Sequence, residues 1–132
     1  MTTNYYETFI TCSADCPATA GEVPRKPGTI AAIQYDLLSS RPYTYTSDEL
    51  LFETYALRNN IDDKGRDAAK AAFFAKSQAC LRASPLVKQF GWGLHHDPDG
   101  KVALVGLGTD AYRDFMARTD IKTVPGMRSK RA

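Results

Sequence analysis

The chain holds two histidines, His95 and His96, side by side. They are the first place to look for acid–base chemistry, because imidazole titrates nearest neutrality. In an extended segment consecutive side chains point to opposite faces, so the pair cannot grip one metal ion. His95 and Asp97 fall on the same side, and a carboxylate so placed can orient an imidazole as the general base of a hydrolase or transferase. The competing reading is structural: Asp97 opens a turn, where its carboxylate would bond its own backbone, leaving His95 as a sheet histidine.

A second group is cationic. Arg82, Ser84 and Lys88 form a compact run of donors that can converge with His95 on a carboxylate or phosphate. Arg128, with Lys130 and Arg131, could reach the same anion if the C-terminal tail folds back. Otherwise Arg82 would pair with Asp36, Glu49 or Glu53, and the tail would be solvated or would clamp the acidic N-terminal half. A third group is Cys12-x-x-x-Cys16, which with Cys80 and a histidine could hold a metal, although no second paired-ligand motif accompanies it. The alternative is three reduced thiols, with Cys80 packed in the core. The glycines make neither a phosphate-binding loop nor a dinucleotide fingerprint, so no cofactor is predicted.

The elements that must position these residues can be read from periodicity and punctuation. Residues 5–11 alternate and are rich in aromatic and β-branched types, which predicts a strand. Residues 12–28 carry Pro17, Pro24, Pro27, Gly21 and Gly28 and form a long loop. Ile30, Ile33, Leu37 and Leu38 keep helical spacing until Pro42. Thr46 and Glu49 make a capping box for a second helix, and an alanine-rich third helix follows Asp62 and Asp63 to about Cys80. Tyr43 and Tyr45, between the first two helices, can cover the core edge or stack a base. Residues 90–96 and 101–107 flank Asp97-Pro98-Asp99-Gly100, a hairpin turn. A fourth helix starts at Thr109, and residues 121–132 form a basic extended tail. One α+β domain over 1–132 results, with a small, mainly antiparallel sheet and about four helices packed on one face. The bare backbone of Gly91 and Gly93 admits either a packed helix or a ligand lying close to the sheet.

Composition narrows the function classes. The 132 residues carry a formal charge of +2, but four Lys/Arg stand against nine Asp/Glu in residues 1–63, and thirteen against six in 64–132. Such a dipole suits complementation between elements or an anionic partner. Duplex DNA as the main partner would call for a larger basic excess. RNA or single-stranded DNA would need the aromatics and the basic half to act together. No stretch approaches the ~20 apolar residues of a membrane span, and residues 1–7 lack a signal-peptide layout, which points to the cytoplasm. A free sheet edge would permit a homodimer.

Several strings carry a resemblance. Cys80-Leu81-Arg82-Ala83-Ser84-Pro85-Leu86, Phe90-Gly91-Trp92-Gly93-Leu94-His95 and Met127-Arg128-Ser129-Lys130-Arg131-Ala132 are among them. Cys16-Pro17-Ala18-Thr19, Gly21-Glu22-Val23-Pro24, Ile33-Gln34-Tyr35 and Tyr45-Thr46-Ser47-Asp48 extend it over nearly the whole chain. Together they resemble a family of small uncharacterised bacterial proteins. The resemblance implies a stand-alone bacterial domain and brings no reaction, substrate or partner with it. The compact run of donors beside glycine-bared backbone makes a cytoplasmic binding or interaction domain the first expectation, with a hydrolase or transferase using His95 as base, or an RNA or single-stranded DNA binder, as the alternatives. The binding domain would take a small anionic ligand or an acidic protein segment near Arg82, Ser84, Lys88, His95 and Arg128.

Overall fold

Strand β1 (Thr8–Thr11) is the axis of the fold. In the computed structural model, which describes residues 2–129, it lies between β2 (Trp92–His96) and β4 (Lys122–Pro125), with β3 (Val102–Gly106) outside β2. The β1–β2 and β2–β3 pairs are antiparallel, and β1–β4 is parallel. Phe9 stands opposite His95, and Ile10 opposite Leu94.

Consecutive strand residues face opposite sides, and here both are apolar. Ile10, Leu94 and Val102 face a core closed by Ala31 and Leu38 of α1 (Ile30–Ser40), Leu50 of α2 (Ser47–Arg58), and Leu86 and Val87 of α4 (Pro85–Gln89). Each of these valine, leucine and isoleucine side chains taken fully out of water stabilises the fold by about 1.5–3 kcal/mol. Phe9 faces the other way, onto Tyr112 and Phe115 of α5 (Asp110–Ala117), with ring centroids 5.1 and 5.2 Å away. The α+β class and the mostly antiparallel sheet are as expected. The helices, however, occupy both faces, because Phe9 needs cover as much as Ile10 does.

Local signals explain most boundaries. Thr29 caps α1 by accepting the Ala32 amide, and both halves of the Thr46–Glu49 capping box are formed at α2. At the hairpin the Asp97 carboxylate accepts the amides of Asp99 and Lys101 at 2.9 and 2.8 Å, and Gly100 takes φ +82°. The third helix is shorter than the alanine run suggested: α3 spans Arg66–Ala75, Lys76 turns extended, and the Gln78 side-chain amide donates to the Phe73 carbonyl. Cys80 consequently lies beyond the helix. Ser84 and Pro85, the cap and first residue of α4, were readable as a helix start and stand where only a connection was expected.

Within the basic tail, Lys122–Pro125 forms β4: Lys122 donates to the Glu7 carbonyl and Gly126 to that of Thr11. Pro125 has no amide to offer and its carbonyl accepts Arg82 Nε at 2.6 Å. Together they blunt this edge against further strand pairing. Residues 130–132, with Lys130 and Arg131, lie outside the described residues. The 12–28 loop is strapped to the sheet where Trp92 Nε1 donates to the Glu22 carbonyl and the Glu22 amide donates to that of Phe90.

Glycine is required just before β2. Gly91 has φ +78°, and a Cβ built there would meet the Ala20 carbonyl oxygen at 2.3 Å, an obstacle made of backbone. Gly91→Ala is expected to destabilise the protein by more than ~2 kcal/mol in urea unfolding, from strain and displacement combined. A loss below ~0.5 kcal/mol would show that the loop yields freely.

Candidate functional site

The two histidines take opposite faces of β2, as alternation demands. His95 lies under α5, stacked on Phe115 at 4.2 Å, and its Nδ1 shares a 2.7 Å hydrogen bond with the Tyr43 hydroxyl. Burial, reinforced by the nearby Arg118 guanidinium, holds its pKa below the ordinary imidazole value. Asp97, the expected orienting carboxylate, spends its Oδ1 on the two turn amides. His96 faces the main core and is fully buried, edge-on to Tyr5, and neither ring nitrogen has a hydrogen-bond partner among the described residues. Burial pushes its pKa down to about 4.

The expected donor run does not gather around His95. Arg82 sits beside edge strand β4, where its side chain holds the Pro125 carbonyl and its own carbonyl accepts the Met127 amide. Glu49 and Glu53, two of its expected partners, are taken by Lys101 and Arg66. Lys88 closes α4 and contributes its carbonyl to the Ser13 hydroxyl. Arg128 follows the Met127–Arg82 contact and is exposed, and the next amide, that of Ser129, donates to the Asp15 carboxylate. Arg82 and Arg128 thus share the β4 edge, while His95 lies on the α5 face of β2.

The cysteines also separate. The Cys12 amide donates to the Tyr112 hydroxyl on the α5 side, and burial pushes the Cys12 thiol up to about 11. Cys80 Sγ instead accepts the Tyr5 hydroxyl at 3.2 Å, and burial together with that bond raises Tyr5 to about 12. Among the described residues no three His, Cys, Asp or Glu side chains converge as metal ligands would. No helix among them is long and apolar enough to cross a membrane.

Of the expected donors, Ser84 borders a cleft. A cleft of about 240 Å³ opens between the start of α1, the end of α2, the Phe73 side of α3 and residues 78–85. Ser84 Oγ accepts the Leu86 amide as the cap of α4 and donates to Gln34 Oε1 at 2.6 Å. Gln34 is 2% exposed and lines the cleft. With its oxygen engaged by Ser84, its amide nitrogen has no partner among the described residues. The N–H groups of that nitrogen are therefore open to an acceptor entering the cleft.

Two further features make the cleft attractive to negative charge. Arg58, at its mouth, is exposed and forms no ion pair among the described residues, and no carboxylate lines the walls. The first turn of α1 borders the cleft through Ile30 and contains no acidic residue to neutralise the positive helix end. Composition alone did not single out Gln34. Its one sequence signal was position: it interrupts the apolar stripe of Ile30, Ile33, Leu37 and Leu38 with a polar group.

α3 is the least buried wall. None of its residues is buried; it leans on α2 through Phe73 and Phe74 against Phe52, Phe73 against Tyr55, and the Arg66–Glu53 ion pair.

The profile of a family of unknown function, DUF6157, matches residues 1–132, and the chain belongs to that family. No curated protein and no solved structure matches it.

The buried histidine gives a pH test with a defined sign. His96 stays neutral in the folded protein down to about pH 4, whereas the unfolded chain takes up a proton from about pH 6.5 downward. The stability tied to this group is present above pH 6.5 and is lost as the pH falls toward 4, by up to about 3 kcal/mol. In His96→Phe the drop in unfolding free energy between pH 7 and pH 4.5 should be smaller by about 2 kcal/mol. An identical drop in both proteins would mean that His96 titrates normally.

Proposed function

We propose that this DUF6157 chain is a binding domain that captures a small anionic ligand in the cleft between α1, α2, α3 and residues 78–85. The observation that carries this reading is Gln34: a buried amide, its oxygen fixed by Ser84, with a spare donor facing a cavity. Arg58 at the mouth and the positive end of α1 supply the charge complement. Arg82, Lys88, His95 and Arg128 belong to other surfaces and act structurally or not at all in this capture.

The arrangement supports binding over catalysis. No paired acid and base meet in the cleft, and His95 shares its Nδ1 hydrogen bond with Tyr43 while Asp97 is committed to the turn. Of the rings singled out for base stacking, Trp92 is strapped beneath the 12–28 loop, Tyr45 packs against the core, and the Tyr43 hydroxyl is tied to His95. The free thiols of Cys12, Cys16 and Cys80 fit a reducing cytoplasm, such as the bacterial setting that the sequence resemblance implies.

A thermal-shift screen of small acidic metabolites against the full chain tests the reading. A ligand at tenfold excess over its Kd should raise the melting temperature by about 3–6 °C. Arg58→Ala should lose most of that shift, while Arg82→Ala should keep it relative to its own baseline. The reverse pattern, with Arg82 essential and Arg58 dispensable, would move the site to the β4 edge.

A further inference from the structure

The walls of the cleft say more about its occupant than that it is negative. Arg58 is the only formally charged side chain among the residues that line it, and apolar surface from Leu51, Tyr55, Phe73 and Pro85 makes up most of the rest. A multiply charged inorganic anion is ordinarily met by several cations or a cradle of backbone amides. The Asn59 and Gln78 amides of the lining already donate to the Tyr55 and Phe73 carbonyls, which leaves one guanidinium, the Gln34 amide and one helix end, a set that suits a single negative charge. The apolar remainder would be wasted on an ion that stays fully hydrated, since contact with a hydrophobic body is what such walls reward. The size points the same way: about 240 Å³ lies just below the range of pockets that take drug-sized ligands.

We infer that the ligand is a small amphiphilic monoanion, a carboxylate on an apolar body of six or so carbons. Its head lies between Gln34 Nε2, Arg58 and the start of α1, and its body lies along Leu51, Tyr55 and Phe73. This inference rests on the anion-capture reading above and specifies its substrate class. The polar floor fixes the head, because Gln34 cannot turn its oxygen outward while Ser84 donates to it. Phe73 belongs to α3, none of whose residues is buried, so the body can be admitted by a small displacement of α3 without opening the core. Cys80, also on the cleft wall, provides a chemical reporter of occupancy.

The test compares four probes by calorimetric or NMR titration of the full chain: hexanoate, hexan-1-ol, acetate and inorganic phosphate. Hexanoate should bind at least about tenfold more tightly than each of the others, and Arg58→Ala should weaken hexanoate about tenfold while leaving hexanol within about twofold. Hexanoate should also slow alkylation of Cys80 by iodoacetamide, read by peptide mass, without slowing that of Cys16. Acetate or phosphate binding as tightly as hexanoate, with the same dependence on Arg58, would overturn the amphiphile inference and leave anion capture standing. Hexanol matching hexanoate would overturn both, because the charge would then contribute nothing. No binding by any probe at ~10 mM, together with unprotected Cys80, would likewise overturn both.

Discussion

The hydrogen bond from Ser84 to Gln34 is the constraint on which the cleft depends. It joins residues 50 apart in sequence, and both partners are almost wholly buried. The same hydroxyl caps α4, so one atom starts a helix, ties it to α1 and decides which end of the Gln34 amide remains free. In a low-dielectric setting such a neutral bond is worth about 1 kcal/mol net, but leaving either partner unbonded would cost more. The orientation of Gln34 is therefore a consequence of the fold's own hydrogen-bond accounting.

The sheet supplies the frame around that bond. β1 has apolar side chains on both faces, so neither face can be left to solvent. α5 takes Phe9 and His95, and the larger helical layer takes Ile10, Leu94 and His96. The cleft lies in the larger layer, where three helices and residues 78–85 meet imperfectly around α3. The α5 face is closed instead: a Cβ at Gly93 would meet the Phe9 and Tyr112 rings at 2.6–2.9 Å, which identifies the close approach as packing. Glycine in this strand makes room for side chains of the protein itself.

Local chemistry made much of the fold readable. The Thr46–Glu49 box, the Asp97–Gly100 turn and the helical spacing from Ile30 each act over a few residues, where the physics is short-ranged. The opposite orientations of His95 and His96 followed from strand geometry alone. What could not be read was long-range. Nothing near Lys122 announces a parallel partner in β1, and the end of α3 at Ala75 is decided by Gln78 and by lost packing, with no breaker residue in between. Arg82 looked like a ligand group because guanidinium chemistry is conspicuous in a sequence. Gln34 was inconspicuous because its importance comes from a hydroxyl 50 residues away. A polar residue inside an apolar helical stripe was the available clue.

The central claim is that the side-chain amide of Gln34 is a ligand donor facing a cleft guarded by Arg58. Its most direct test follows the side-chain NH₂ resonances of Gln34 and the Nε–H of Arg58 in ¹⁵N-labelled protein titrated with a small carboxylic acid. The account predicts that both move together and saturably, while the amide of His95 and the Nε–H of Arg82 stay in place. Saturable shifts at Arg82 or His95, with Gln34 unmoved, would contradict it.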